Sequence, residues 1–141
     1  MLGDPVNLVD VLGLKVDLIL FKKGTPFYYR ALLLPSFYFN GYTIGAHGAA
    51  DATPMNMSGE GEIDIEPNEL HELMLKHGYK EGEVVSLLSC ELGAGKEPYA
   101  QRLANELGVT VYAPTGNFQY GIFTYGTSDK KGLKPFKPIL K

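Results

Sequence analysis

The stretch VVSLLSC (84–90), followed by EPYAQRLANELG (97–108) and VTVYAP (109–114), constrains the fold more than any other feature. A half-exposed strand would alternate apolar and polar residues, whereas a short continuous apolar run is the pattern of a strand buried on both faces. The next segment changes period. Pro98 opens it, Tyr99, Leu103 and Leu107 recur every four residues, and Gly108 closes it, as in a helix. VTVYAP returns to strand composition. Strand, helix and strand in this order predict neighbouring parallel strands joined by a crossover.

The rest of the chain extends that unit. KVDLILF (15–21) and YFNGYTIGA (38–46) read as strands, the second ending at His47, and YYRALLLP (28–35) reads as a further strand cut off by Pro35. DATPMNMSGEGEI (51–63) is a glycine-rich loop with room for a short hairpin. PNELHELMLKHG (67–78) is a helix, with Pro67 in its first turn and Gly78 at its cap. NFQYGIFTYG (117–126) reads as a C-terminal β-hairpin around Gly121, its aromatics being core and sheet surface. The fold class is therefore α/β, a mainly parallel sheet flanked by helices.

Composition removes several functions. At 141 residues with 45% hydrophobic and 21% charged residues, the chain suits one globular domain. A net charge of −3 opposes nucleic-acid binding mildly, although four lysines between Lys130 and Lys137 leave room for a local basic patch. No apolar run reaches the roughly 18–20 residues of a membrane span, and the opening residues lack the pattern of a signal peptide. Cys90 is the single cysteine, so no internal disulfide forms and a zinc site is not expected. GAGK (93–96) fails as a phosphate loop, because Cys90 and Glu97 stand where glycine and Ser/Thr belong. No metal or cofactor is expected.

Ligand sites in parallel sheets form at the carboxyl ends of the strands. Two strands here end on reactive side chains, YTIGAH on His47 and VVSLLSC on Cys90. A thiol needs its thiolate to attack, and an imidazole beside it manages that proton. Gly48 permits close backbone approach or a positive φ, and the Gly48 and Cys90 N–H groups are placed to receive an oxyanion. Each residue singly also has a plain structural reading: a buried cysteine is commonly packing, and a histidine before glycine is commonly a turn residue.

The pair carries a resemblance. TIGAHGA and VVSLLSCELG resemble the two signature blocks of caspase-like cysteine peptidases, over roughly Tyr42 to Gly116. The resemblance implies a caspase-like fold, with Cys90 as nucleophile, His47 as acid and base, and Gly48 and Cys90 as oxyanion donors. Glu91 follows the cysteine where several members have a small or basic residue, and no third catalytic residue stands out. Asp51, with Glu91 and Gly93, is the candidate lining of a substrate pocket. The acidic run Glu60, Glu62, Asp64 and Glu66 reads as a solvated strand face, or as part of a pocket for a basic substrate residue.

A second resemblance lies at the start. GDPVNLVDVLGL (3–14) is similar to the junction that ends the Rhs-repeat shell of bacterial polymorphic toxins, with Asp4 in place of the common asparagine and Val11 in place of a proline. It implies that residues 1–14 are a junction remnant, cut after Leu14, and that residues 15–141 are a toxin domain. It further implies an Rhs shell before release, delivery into a target cell as by type VI secretion, action in that cell's cytoplasm, a protein substrate and a cognate immunity protein. The expected function is a Cys/His-dyad cysteine protease. A cysteine-dependent deamidase or acyl transferase, and a non-catalytic binding toxin, remain open.

Overall fold

In a computed structural model of the chain, the described residues are 16–57, 59, 61–121 and 123–139. The junction expected over residues 1–14 and Glu60 of the acidic run lie outside them.

Four strands run parallel in the order β1 (Leu18–Ile19), β2 (Tyr42–Gly45), β5 (Val85–Leu88) and β6 (Val111–Pro114). The chain is mixed α/β, with a mainly parallel central sheet and three helices among the described residues. β2 and β5 are buried at all four of their positions, which explains why neither carries a charged residue. Two short antiparallel pairs stand apart from the sheet: β3 (Met55–Asn56) with β4 (Ile63–Asp64), and β7 (Phe118–Tyr120) with β8 (Tyr125–Thr127).

The sheet separates two apolar clusters. On one face lie α2 (Pro67–Lys76) and α3 (Tyr99–Leu107), packed through Leu70, Met74, Leu103 and Ala104 onto Ile44, Val85, Leu87 and Val111. Leu70, Met74, Leu87 and Leu103 are each no more than 1% exposed, and burial of such a side chain is worth about 1.5–3 kcal/mol. The other face is covered by α1 (Pro26–Leu33) and by β7, through Ala31, Leu34, Phe118 and Tyr120 over Leu88 and Phe21.

Two segments differ from their sequence reading. YYRALLLP is not a strand but most of α1. Thr25 caps it by accepting from the Tyr28 N–H at 3.3 Å, Pro26 occupies the first turn, and Leu34 leaves helical geometry just before Pro35. This Thr-Pro start and pre-proline stop outweigh the aromatic, strand-like composition between them. The basic tail is also a strand in part, with Lys130, Lys131, Lys134 and Lys137 left exposed. β9 (Leu133–Phe136) pairs antiparallel with β6 at the end of the sheet, and Lys134 and Pro135 give it the composition of a protected edge strand.

Candidate active site

β2 and β5 are hydrogen-bonded neighbours, and their register pairs Gly45 with Leu88. His47 and Cys90 each lie two residues further along, at the carboxyl end of the sheet. Past the Gly45–Leu88 pair the Leu88 carbonyl is taken by the Tyr120 hydroxyl at 2.6 Å, and the Gly45 carbonyl by the Leu20 N–H at 2.7 Å. The two strands therefore stop pairing with each other just where the reactive side chains begin.

His47 and Cys90 line one small cavity of about 20 Å³, room for about one water molecule. Phe21, Phe27, Ala46, Leu88, Phe118 and Tyr120 form most of its wall, with Ser89 between Leu88 and Cys90. The rings of Phe21 and Phe27 meet the His47 imidazole edge-on, with centroids 4.7 and 5.1 Å away. Burial among them lowers the His47 pKa, and the Glu62 carboxylate opposes that shift. Burial therefore favours the neutral imidazole, the form that accepts a proton. The Cys90 thiol is half-buried and lies 3.8 Å from the Phe118 carbonyl, a weak hydrogen bond.

Gly48 packs directly on the Cys90 turn. A Cβ there would lie 2.8 Å from the Cys90 carbonyl oxygen and 2.6 Å from Leu92 Cδ2. Close approach, not positive φ, is what requires glycine at this position. Among the described residues no backbone carbonyl accepts from the Gly48 or Cys90 N–H, whereas Glu91 donates to Gly116 at 3.0 Å and Gly93 to Pro114 at 2.9 Å.

The three pocket candidates are arranged differently from one another. Gly93 is buried against the Ala113 carbonyl and the Phe136 ring, where a Cβ would lie 2.9 Å from each. Glu91 takes φ +53° and turns the chain sharply after Cys90. Asp51 takes φ +55°, and its carboxylate accepts from the Glu97 N–H at 2.8 Å, beside Gly95. The GAGK turn is thus satisfied by a carboxylate of its own chain, which leaves a poor seat for an external anion. None of the three lines the Cys90–His47 cavity.

Tyr120, Phe118, Phe21, Phe27 and Ser89 are the site residues that sequence reasoning passed over. Phe118 and Tyr120 read as core, and nothing in their spacing points to the end of a strand some thirty positions earlier. Ser89 was the findable one, since it immediately precedes the candidate nucleophile. The other histidines serve elsewhere: His71 bonds Glu106 at 3.0 Å and also Glu81, and His77 Nδ1 lies 3.1 Å from the Leu73 carbonyl. A larger groove of about 270 Å³ lies along β1 beside Asp17, Lys23 and His77. The Asp17 carboxylate accepts from the Thr43 N–H and hydroxyl at 2.9 and 3.0 Å. Among the described residues, no cluster of three metal-ligating side chains is present, and no helix is long and apolar enough to cross a membrane.

Residues 16–132 match a family described as Domain of unknown function (DUF8616). The chain belongs to the DUF8616 family. The matched region runs from the residue before Asp17 to the turn before β9, and so contains His47, Gly48, Ser89 and Cys90. No curated protein and no solved structure matches the DUF8616 chain.

Proposed function

We propose that this DUF8616 chain is a toxin domain with a caspase-like fold, acting as a cysteine peptidase on a protein of the cell it enters. The observation that carries the reading is the pair His47 and Cys90, at the ends of adjacent parallel strands and on one cavity. In this reading the β7–β8 pair is the C-terminal hairpin of the domain. The Rhs-like junction supplies the delivery: release from a shell after Leu14, action in the recipient's cytoplasm, and an immunity protein over the mouth beside His47 and Cys90.

His47, its neutral form favoured by burial, takes the Cys90 proton, and the thiolate sulfur bonds to the substrate carbonyl carbon. The oxygen gains negative charge and receives the Gly48 and Cys90 N–H groups. His47 then returns the proton to the amine as the C–N bond breaks, leaving a thioester. Water, deprotonated by His47, attacks the thioester, and the acid departs as the thiol is restored. The test is growth of bacteria expressing residues 15–141 without a protective partner. The wild type is expected to arrest growth and Cys90→Ala to be harmless. Arrest by both removes the mechanism.

A second reading uses the same dyad. The cavity beside Cys90 is small, which suits a small leaving group such as ammonia, and a deamidase or acyl transferase would leave the target's chain length unchanged. Intact-mass analysis of the modified target separates this chemistry from cleavage. A toxin acting by binding alone would remain toxic without His47 and Cys90.

A further inference from the structure

We infer that the site selects an amide whose acyl side is a small uncharged residue, alanine or glycine, and that the Ser89 hydroxyl binds that residue. The inference rests on the cysteine-peptidase reading and names its substrate class. The group presented to Cys90 must sit against a cavity of about 20 Å³, the space of about one water molecule and hence of one methyl group. Phe21, Phe27, Phe118 and Tyr120 wall it, and among the described residues no carboxylate, ammonium or guanidinium lines it. An ionic side chain would be stripped of water there without a counter-charge. The Tyr120 hydroxyl has no proton to offer a carboxylate, because it donates to the Leu88 carbonyl. Phe21, Phe118 and Tyr120 are at most 7% exposed and packed on one another, so the wall does not recede to admit a larger group.

Ser89 provides an independent observation. It is 1% exposed, lines the same cavity, and its Oγ has no hydrogen-bond partner, the one such buried side-chain atom among the described residues. The other buried hydroxyls of β2 and β5 are bonded, Thr43 to Asp17 and Ser86 to the Asn40 carbonyl. An orphaned buried hydroxyl opposes folding and calls for an explanation, which a ligand's polar atom in this cavity supplies. The main chain of a small residue brings such an atom within reach of Ser89, whereas a bulky side chain holds it off.

The test is covalent labelling of the full 141-residue chain, followed by intact mass. The probes are peptidyl chloromethyl ketones of one peptide body, ending in Ala, Leu, Asp or Arg. In each, the Cys90 sulfur bonds to the methylene carbon, chloride leaves with the electron pair, and the thiol proton passes to His47. The alanyl ketone is expected to label at least about tenfold faster than the others. Ser89→Ala is expected to slow that labelling about tenfold while melting no earlier than the wild type, because it removes an orphan. Phe27→Ala, at a wall residue 44% exposed, is expected to speed the leucyl probe.

An aspartyl or arginyl probe that labels as fast as the alanyl one overturns the inference, as does failure of every probe to label Cys90. His47→Ala separates it from the reading beneath. If the probe ranking survives while His47→Ala labels at the wild-type rate, the dyad fails and the assignment of the cavity stands. If His47→Ala slows every probe but the ranking is lost, the dyad stands and the substrate class is wrong.

Discussion

The Tyr120 hydroxyl donates to the Leu88 carbonyl at 2.6 Å, two residues before Cys90. Burial raises the Tyr120 pKa well above that of a free phenol, so the donor stays protonated at every physiological pH. The bond takes up the carbonyl released where β5 parts from β2, and joins β7 to the strand that presents the thiol. Tyr120→Phe leaves that carbonyl without a partner. It is expected to lower stability by about 1–3 kcal/mol in denaturant unfolding, and to slow labelling of Cys90 as the strand end loosens.

Gly48 is tested by adding one methyl group. The alanine Cβ would lie 2.8 Å from the Cys90 carbonyl oxygen and 2.6 Å from buried Leu92, and backbone cannot yield as a flexible side-chain tip would. Gly48→Ala is expected to cost about 1–3 kcal/mol, by the usual cost of overpacking, and to suppress activity by moving the Cys90 turn. Gly59, with nothing within 4 Å of its Cβ position, is the control; Gly59→Ala is expected to leave activity unchanged.

The sheet was readable from sequence because burial writes itself into composition. VVSLLSC and YTIGA became β5 and β2, and both amphipathic helices fell where proline and glycine marked their ends. α1 is hard to see in the sequence because an aromatic, leucine-rich run has neither a clean helical nor a clean strand period, and only Thr25-Pro26 marks its start. β9 was missed because an edge strand carries lysine and proline on purpose. The candidate site was half legible. His47 and Cys90 stand at strand ends, which sequence can mark. The aromatic wall is drawn from β7, α1 and the residues after β1, and only tertiary packing gathers those.

Glu91 turns the chain after Cys90 with φ +53°, in the left-handed region that disfavours side chains branched at Cβ. Its N–H holds Gly116, so the turn is fixed by the fold. Glu91→Gly is expected to change stability by less than about 1 kcal/mol, since relief of strain offsets greater freedom of the unfolded chain. Glu91→Val is expected to cost roughly 1–3 kcal/mol more, from backbone strain. Equal stability of the two variants in denaturant unfolding would show that the turn relaxes freely.

His47 and His71 give the chain opposite responses to pH. Burial lowers His47 below the 6.5 of free histidine, with Glu62 opposing. The folded state thus prefers the neutral ring, and this preference is fully present above pH 6.5 and lost as pH falls through the lower folded value. Hydrogen bonds to Glu106 and Glu81 raise His71 above 6.5. Its contribution is therefore full below that value and lost as pH rises through the folded pKa. His47→Phe is expected to flatten the acid side of the stability profile, and His71→Gln the neutral-to-alkaline side. The His71 effect should fade in high salt, because Glu81 is exposed. Denaturant midpoints from about pH 5 to pH 9 read both effects. The labelling rate of Cys90 should fall only below pH 6.5, following His47 alone, and Glu62→Gln should move that fall to still lower pH. A labelling profile that follows His71 instead would place the proton acceptor outside the cavity.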